Sequence, residues 1–215
     1  MKKIRQKPQE KERILSQQRD VFKEHFYDLE KVIRDKGIQQ RDTWNFDECG
    51  FRIGISSSQD VITMEAFKST KMLLETNGDF ISIVKTINAA GETIPPLTIL
   101  KGAQIMHQHV SRELHLDPQM LLGVSESGYS NNQIALDYIK HFNNHSSHLT
   151  HKFITYCFEN KIWPYTLPPH SSHVLQPLDV IVFQPYKHFH KKRIEVKVRH
   201  GTDDFNKVEF LHYIH

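Results

Sequence analysis

Cysteine is nearly absent from the 215 residues: Cys49 and Cys157 are the only two. Two thiols cannot build a disulfide scaffold or a cysteine-only zinc site. No apolar run approaches the roughly 20 residues that span a bilayer, so no membrane partner is expected. The opening MKKIRQKPQEKER has no apolar stretch behind it, which argues against a secretory signal. A Gly-rich phosphate loop and a G-x-S-x-G elbow are also missing, which leaves nucleotide hydrolases and serine hydrolases without support. Nine glycines and nine prolines, outside any low-complexity block, exclude collagen-like and linker-like chains. What remains is 38% hydrophobic and 25% charged, enough for one sizeable core, and predicts a soluble intracellular globular chain.

The net charge of +3 is too mild to name a partner, but its distribution is uneven. Residues 1–41 carry 12 basic and 7 acidic side chains, residues 42–186 carry 9 and 14, and residues 187–215 carry 7 and 4. An acidic middle between basic ends suits a metal-binding centre flanked by arms that hold a polyanion. Ordinary solvated helix faces give the same pattern.

Periodicity orders the chain. Leu15, Phe22, Phe26, Leu29 and Ile33 fall on one stripe of a helix over 9–36, stopped by Gly37. Residues 42–101 read as strands, with FISIVKTINAAG and TIPPLTILKG forming a hairpin that turns near Ala90-Gly91. Pro95-Pro96 should limit how central the second of these strands can be. Residues 103–129 read as loop and short helix. Helices are expected at 131–142, capped by Ser130 or Asn131, and at about 150–160. WPYTLPP reads as a short strand, and a last helix begins near Pro177 and kinks at Pro185. Strands first, then alternating helix and strand, indicate a mixed α/β sheet.

Asp47 leaves a strand just before a glycine, a place where a rigid strand can aim a metal ligand, although for one Asp taken alone a solvated turn residue is the commoner case. Strand alternation sends the neighbouring Glu48 to the other face, so the two cannot easily share one ion. Asp179 lies in a first helical turn, which favours a carboxylate whatever its task. HSSH occurs at His145–His148 and again at His170–His173, with His151 extending the first set, and steps of three could align imidazoles for zinc. The flanking Ser, Pro and Thr residues make these segments read as turns and caps instead. KKIRQK and HKKR are candidate phosphate contacts or nuclear-import patches, or plain surface; Lys191, Lys192 and Arg193 of HKKR, with Lys187 just before them, are the candidate nucleic-acid contacts.

Taken in order, WNFDECGFRIG, INAAGETIPPLTILKG, SESGYSNNQIALDYIKHF, HSSHLTHKFITYC and LPPHSSHVLQPLDVIVFQPYKH resemble the DDE-superfamily endonuclease domain of pogo/Tigger-like DNA transposases, closest to the fungal branch. The resemblance runs from about residue 20 to the end. It implies an RNase H-like α/β fold, a mixed sheet flanked by helices, in which three aspartates hold two divalent ions, Mg²⁺ or Mn²⁺. Two such ions activate the attacking oxygen and stabilise the leaving one in phosphodiester cleavage and strand transfer. By motif match Asp47 is the first aspartate and Asp179 the third. DNA is the implied partner, a homo-oligomer is possible, and the nucleus is the implied compartment.

The match breaks at the second aspartate. The family has a hydrophobic strand ending in Asp directly before the HSSH turn, whereas here only Asn143 and Asn144 separate Phe142 from His145. Asn143 takes the aspartate's place, and a neutral amide cannot neutralise two dications. The sheet is therefore expected to lack one central strand and to leave the first strand with an open edge. Domain limits follow: a basic linker and amphipathic helix at 1–40, the DDE-type domain at 41–200 with a gap near 142–145, and a tail at 201–215 that continues it. The family's N-terminal helix-turn-helix module has no counterpart in residues 1–40. An impaired endonuclease, with Asp137 as the one nearby substitute carboxylate, a non-catalytic DNA-binding protein and a transposon relic all fit this pattern, and a histidine-based zinc protein fits it less well.

Overall fold

The computed structural model describes residues 19–53, 79–142, 151–199 and 205–213. Four strands, β1 (Trp44–Arg52), β2 (Phe80–Asn88), β3 (Thr93–Lys101) and β4 (Leu121–Ser125), form one mixed sheet in the order β1-β2-β3-β4. The first two pairings are antiparallel and the third is parallel. Around it lie α1 (Arg19–Lys36), α2 (Asn132–Phe142), α3 (His151–Glu159), the short α4 (Ser172–Leu175), a π-helical turn (Leu178–Val182), α5 (Phe183–Arg199) and α6 (Lys207–Tyr213). A mixed sheet with helices on both faces is the expected RNase H-like α/β arrangement.

The pleat sorts side chains to the two faces. On one face Cys49 and Phe51 of β1, Ile81 and Ile83 of β2 and Leu100 of β3 pack against Leu178, Phe183, Ile194, Phe210 and Leu211 from the π-helical turn, α5 and α6. On the other, Val84, Leu97 and Ile99 pack against Tyr138 of α2. The Tyr138 hydroxyl reaches the buried Thr86 hydroxyl at 2.8 Å across that second interface. Beside α2, Ile139 and Cys157 of α3 form a small cluster of their own.

The β2–β3 hairpin turns where expected. Asn88 Oδ1 accepts from the backbone N–H groups of Ala90 and Glu92 at 3.1 and 2.8 Å. Gly91 takes φ 89°, a value that needs glycine's freedom. Gly37 ends α1 in the same way at φ 66°. The Asn131 side chain caps α2 by accepting from the N–H groups of Gln133 and Ile134.

Four expectations need correction. β3 is internal despite Pro95-Pro96, because the prolines sit where the β2–β3 register shifts and ladder bonds are interrupted; β4 pairs only from Leu97 onward. Residues 121–125, expected as loop, form β4; five residues containing Gly123 are too short to show a period. WPYTLPP is not a strand. Its aromatic residues pack on α1 instead: the Tyr165 hydroxyl donates to the His25 carbonyl at 3.0 Å, and Lys36 lies 4.4 Å from the Trp163 ring. That contact makes His25, not the apolar stripe, the buried residue of α1, and Phe26 is 53% exposed. As expected, a last helical segment starts near Pro177; it opens as a π-helical turn and is α-helical from Phe183, with Pro185 just past the junction.

Among the described residues β1 pairs on one side only. Leu15, Asn143, His145 and His148 lie outside the described residues.

Candidate functional site

β1 places Asn45, Asp47, Cys49 and Phe51 on the face covered by α5, and Trp44, Phe46, Glu48 and Gly50 on the other. The alternation separates the two adjacent carboxylates. Glu48 accepts from the Ser130 backbone N–H at 3.3 Å and from the Ser130 hydroxyl, just ahead of α2. Asp47 turns instead toward the π-helical turn and α5.

Asp47 is half-buried, and its Oδ1 accepts from the Glu48 N–H at 2.8 Å. Burial pushes its carboxyl up to about 6, and the negative charge of Asp179 adds to the rise; hydrogen bonds from the Glu48 N–H and the Gln176 side chain oppose it. The two aspartates chosen from the sequence therefore share one site. Asp179 gets there because Leu178 and Phe183, on either side of it, are anchored in the core under β1 and β2.

Gln176 braces the arrangement. Its Oε1 accepts from Asn45 Nδ2 at 2.5 Å, and its Nε2 donates to the Phe46 carbonyl at 3.2 Å. Asn45 Oδ1 is left buried with no hydrogen-bond partner. Two residues beyond Asp47, burial lifts the Cys49 thiol to about 11, and Lys187 hydrogen-bonds to it. Such a thiol stays protonated and is a weak nucleophile.

The remaining sequence candidates are scattered. Lys187 reaches the site, but Lys191 pairs with Glu195 at 3.7 Å, and Arg193 lies 4.6 Å from the Tyr213 ring. Lys192 is exposed on the same helix. Asp137 is exposed on α2, over the opposite face of the sheet, where it accepts from Gln133 at 3.0 Å; the structure does not bring it to Asp47. His170 is exposed in a turn with φ 59°, and His173 is exposed in α4. Among the described residues no group of three His, Cys, Asp or Glu is placed to hold a metal ion.

Sequence reasoning missed two residues beside the site. Gln176 sits in the LQPLD motif, and its spacing of three from Asp179 was the available signal. Lys85, opposite Asp47 in the β1–β2 ladder, is the one charged residue of FISIVKTIN, and that interruption of an apolar strand marked it.

With the geometry in place, comparison with known proteins bears on the C-terminal third. Residues 141–213 match the family model described as DDE superfamily endonuclease. The matched stretch contains Asp179, Lys187, Lys191, Lys192 and Arg193, and Asp47 lies outside it. This supports the DDE superfamily over that stretch. A Cochliobolus lunatus protein named "MFS-type transporter clz9" is 30% identical over 192 residues, covering 81% of this chain and 21% of that protein. The chain thus spans about a fifth of that relative's length. Among the described residues no helix is long and apolar enough to cross a membrane. No solved structure matches.

Proposed function

We propose that this chain is a transposase-derived DDE endonuclease domain of the pogo/Tigger type that binds DNA, with an impaired metal site built on Asp47 and Asp179. The observation that carries the reading is the convergence of these two carboxylates, from a strand and from a helical turn 132 residues later, on one face of the sheet. Two half-buried carboxylates, one of them lifted by burial and by the charge of the other, form a site in want of a cation. The unpartnered Asn45 Oδ1 on the same strand face adds a hard oxygen acceptor.

These residues fit one divalent ion, Mg²⁺ or Mn²⁺, held by Asp47 and Asp179, since Mg²⁺ is commonly bound through one or two carboxylates with water and phosphate completing its shell. They do not fit two. When bound, such an ion supplies charge neutralisation at a phosphodiester and a more acidic water. The protein's own part is positional. The Glu48 N–H and Gln176 fix the Asp47 carboxylate, and Leu178 and Phe183 seat Asp179. Lys187, with Lys191, Lys192 and Arg193 further along α5, meets the DNA backbone. The second carboxylate of the family corresponds to Asn143, and its neutral amide is the reason for reduced or absent cleavage. DNA binding implies residence in the nucleus, and β1, paired on one side only among the described residues, offers an edge through which two copies could associate.

Plasmid nicking with Mn²⁺ tests the reading. Weak nicking that disappears in both Asp47→Ala and Asp179→Ala supports an impaired endonuclease. Salt-sensitive DNA binding without nicking supports the second reading, a DNA-binding protein that has lost catalysis, which the incomplete carboxylate set favours. Absence of both activities in folded protein overturns the proposal.

A further inference from the structure

Lys85 has no role in the site as drawn above, yet its placement is hard to explain by packing alone. It faces Asp47 directly across the antiparallel ladder, so both side chains leave the same side of the sheet, with Cβ atoms about 5 Å apart. Its neighbours on that face, Ile83 and Ile87, both pack on the apolar core beneath α5. A valine or isoleucine would continue that surface at no desolvation cost. Lys85 is half-buried, and its ammonium hydrogen-bonds to the Tyr186 hydroxyl of α5 and lies 4.4 Å from the centre of that ring. A phenol orients an ammonium without cancelling its charge.

Charge counting shows what a cation here is suited to. Asp47 and Asp179 carry −2, which one divalent ion balances. A phosphodiester brought to that ion adds −1 and has nothing to offset it. One fixed ammonium beside the pair closes the sum. Lys187 supplies a second positive charge nearby, but it is exposed and bonded to the Cys49 thiol, which suits a neighbouring phosphate of the backbone.

We propose that Lys85, held by Tyr186, is the site's phosphate-binding residue and receives the DNA phosphodiester that lies at the Asp47–Asp179 pair. This rests on the endonuclease-derived reading above. The test is duplex DNA binding by the full chain, with Ca²⁺ present so that binding is read without cleavage, over a series of salt concentrations. Lys85→Met keeps the apolar stem and should weaken binding several-fold while lowering the slope of log K against log salt by about 0.9, the loss of one phosphate contact. Lys85→Arg should restore both, and Tyr186→Phe, which keeps the charge but frees it, should fall between. Wild-type affinity and slope in Lys85→Met, or an Arg variant as weak as the Met variant, would overturn the assignment while leaving DNA binding intact. Failure of the wild-type chain to bind DNA at any salt would remove the endonuclease-derived reading and this assignment together.

Discussion

Replacing Asp47 by asparagine should make the metal-free protein more stable at neutral pH. Burial and the charge of Asp179 lift the Asp47 carboxyl from 3.8 to about 6 in the folded state. The folded chain therefore holds this proton more tightly than the unfolded chain. Between pH 3.8 and about 6 the unfolded chain sheds it first, so stability falls as pH rises through that window and stays low above it. At 1.36 kcal/mol per pH unit the full difference is about 3 kcal/mol, and partial solvent access reduces the realised penalty to about 1–2 kcal/mol. Asparagine has the same shape, stays neutral and keeps an acceptor for the Glu48 N–H. For a chain of this size Asp47→Asn should raise the melting temperature by roughly 3–6 °C at pH 7.5, and by almost nothing at pH 3.5. Thermal melts followed by circular dichroism in EDTA at four or five pH values measure the gap. Adding Mn²⁺ should then raise the wild-type melting temperature and leave the variant unmoved. A variant no more stable than wild type at pH 7.5, or a gap that is the same at pH 3.5, would refute the reasoning.

Three further substitutions probe the surroundings. Glu48→Gln removes the charge that Ser130 satisfies ahead of α2, and should destabilise by about 1–2 kcal/mol in urea titrations without altering the response to Mn²⁺, which separates the two adjacent carboxylates by function. Tyr138→Phe strips the partner from the buried Thr86 hydroxyl and should lower stability by about 1 kcal/mol at an unchanged m-value. Gly50→Ala places a Cβ 2.2 Å from the Phe80 ring tip, where Phe80 is stacked on Tyr129 at 4.2 Å, and should cost about 1–3 kcal/mol as the ring is displaced. The same urea titration reads it.

The sequence was most legible where local chemistry and tertiary demand agree. The Gly37 stop, the Asn88–Gly91 turn and the Asn131 cap are satisfied by atoms within a few residues of one another, and each lies where the pattern put it. β4 was hidden because its five residues form a strand only by pairing with Leu97–Lys101, a partner about 24 positions away. WPYTLPP was misread for the opposite reason. Its aromatic content suits a strand, but Trp163 and Tyr165 are taken up by α1, a contact no local pattern contains. Of the site, Asp47 and Asp179 were visible through their motifs. Gln176 and Lys85 were not, since their roles depend on the ladder register and on which side of the π-helical turn meets β1.

That register also explains how two carboxylates can stay together when, among the described residues, β1 is paired on one side only. Asp47 is fixed by the nine consecutive residues of β1 that pair with β2, and by the Glu48 N–H. Asp179 is fixed independently, by Leu178 and Phe183, each 1% exposed and lodged among Cys49, Ile81 and Ile83 on the same face. Neither tie passes through the outer edge of β1. The meeting of Asp47 and Asp179 is thus a property of the β1–β2 ladder and of the buried cluster under α5, not of that edge. The same seating keeps the Asp47 carboxyl buried beside the charge of Asp179, which is why it stands above the ordinary carboxylate range and why the cost is measurable as the pH-dependent gain on Asp47→Asn.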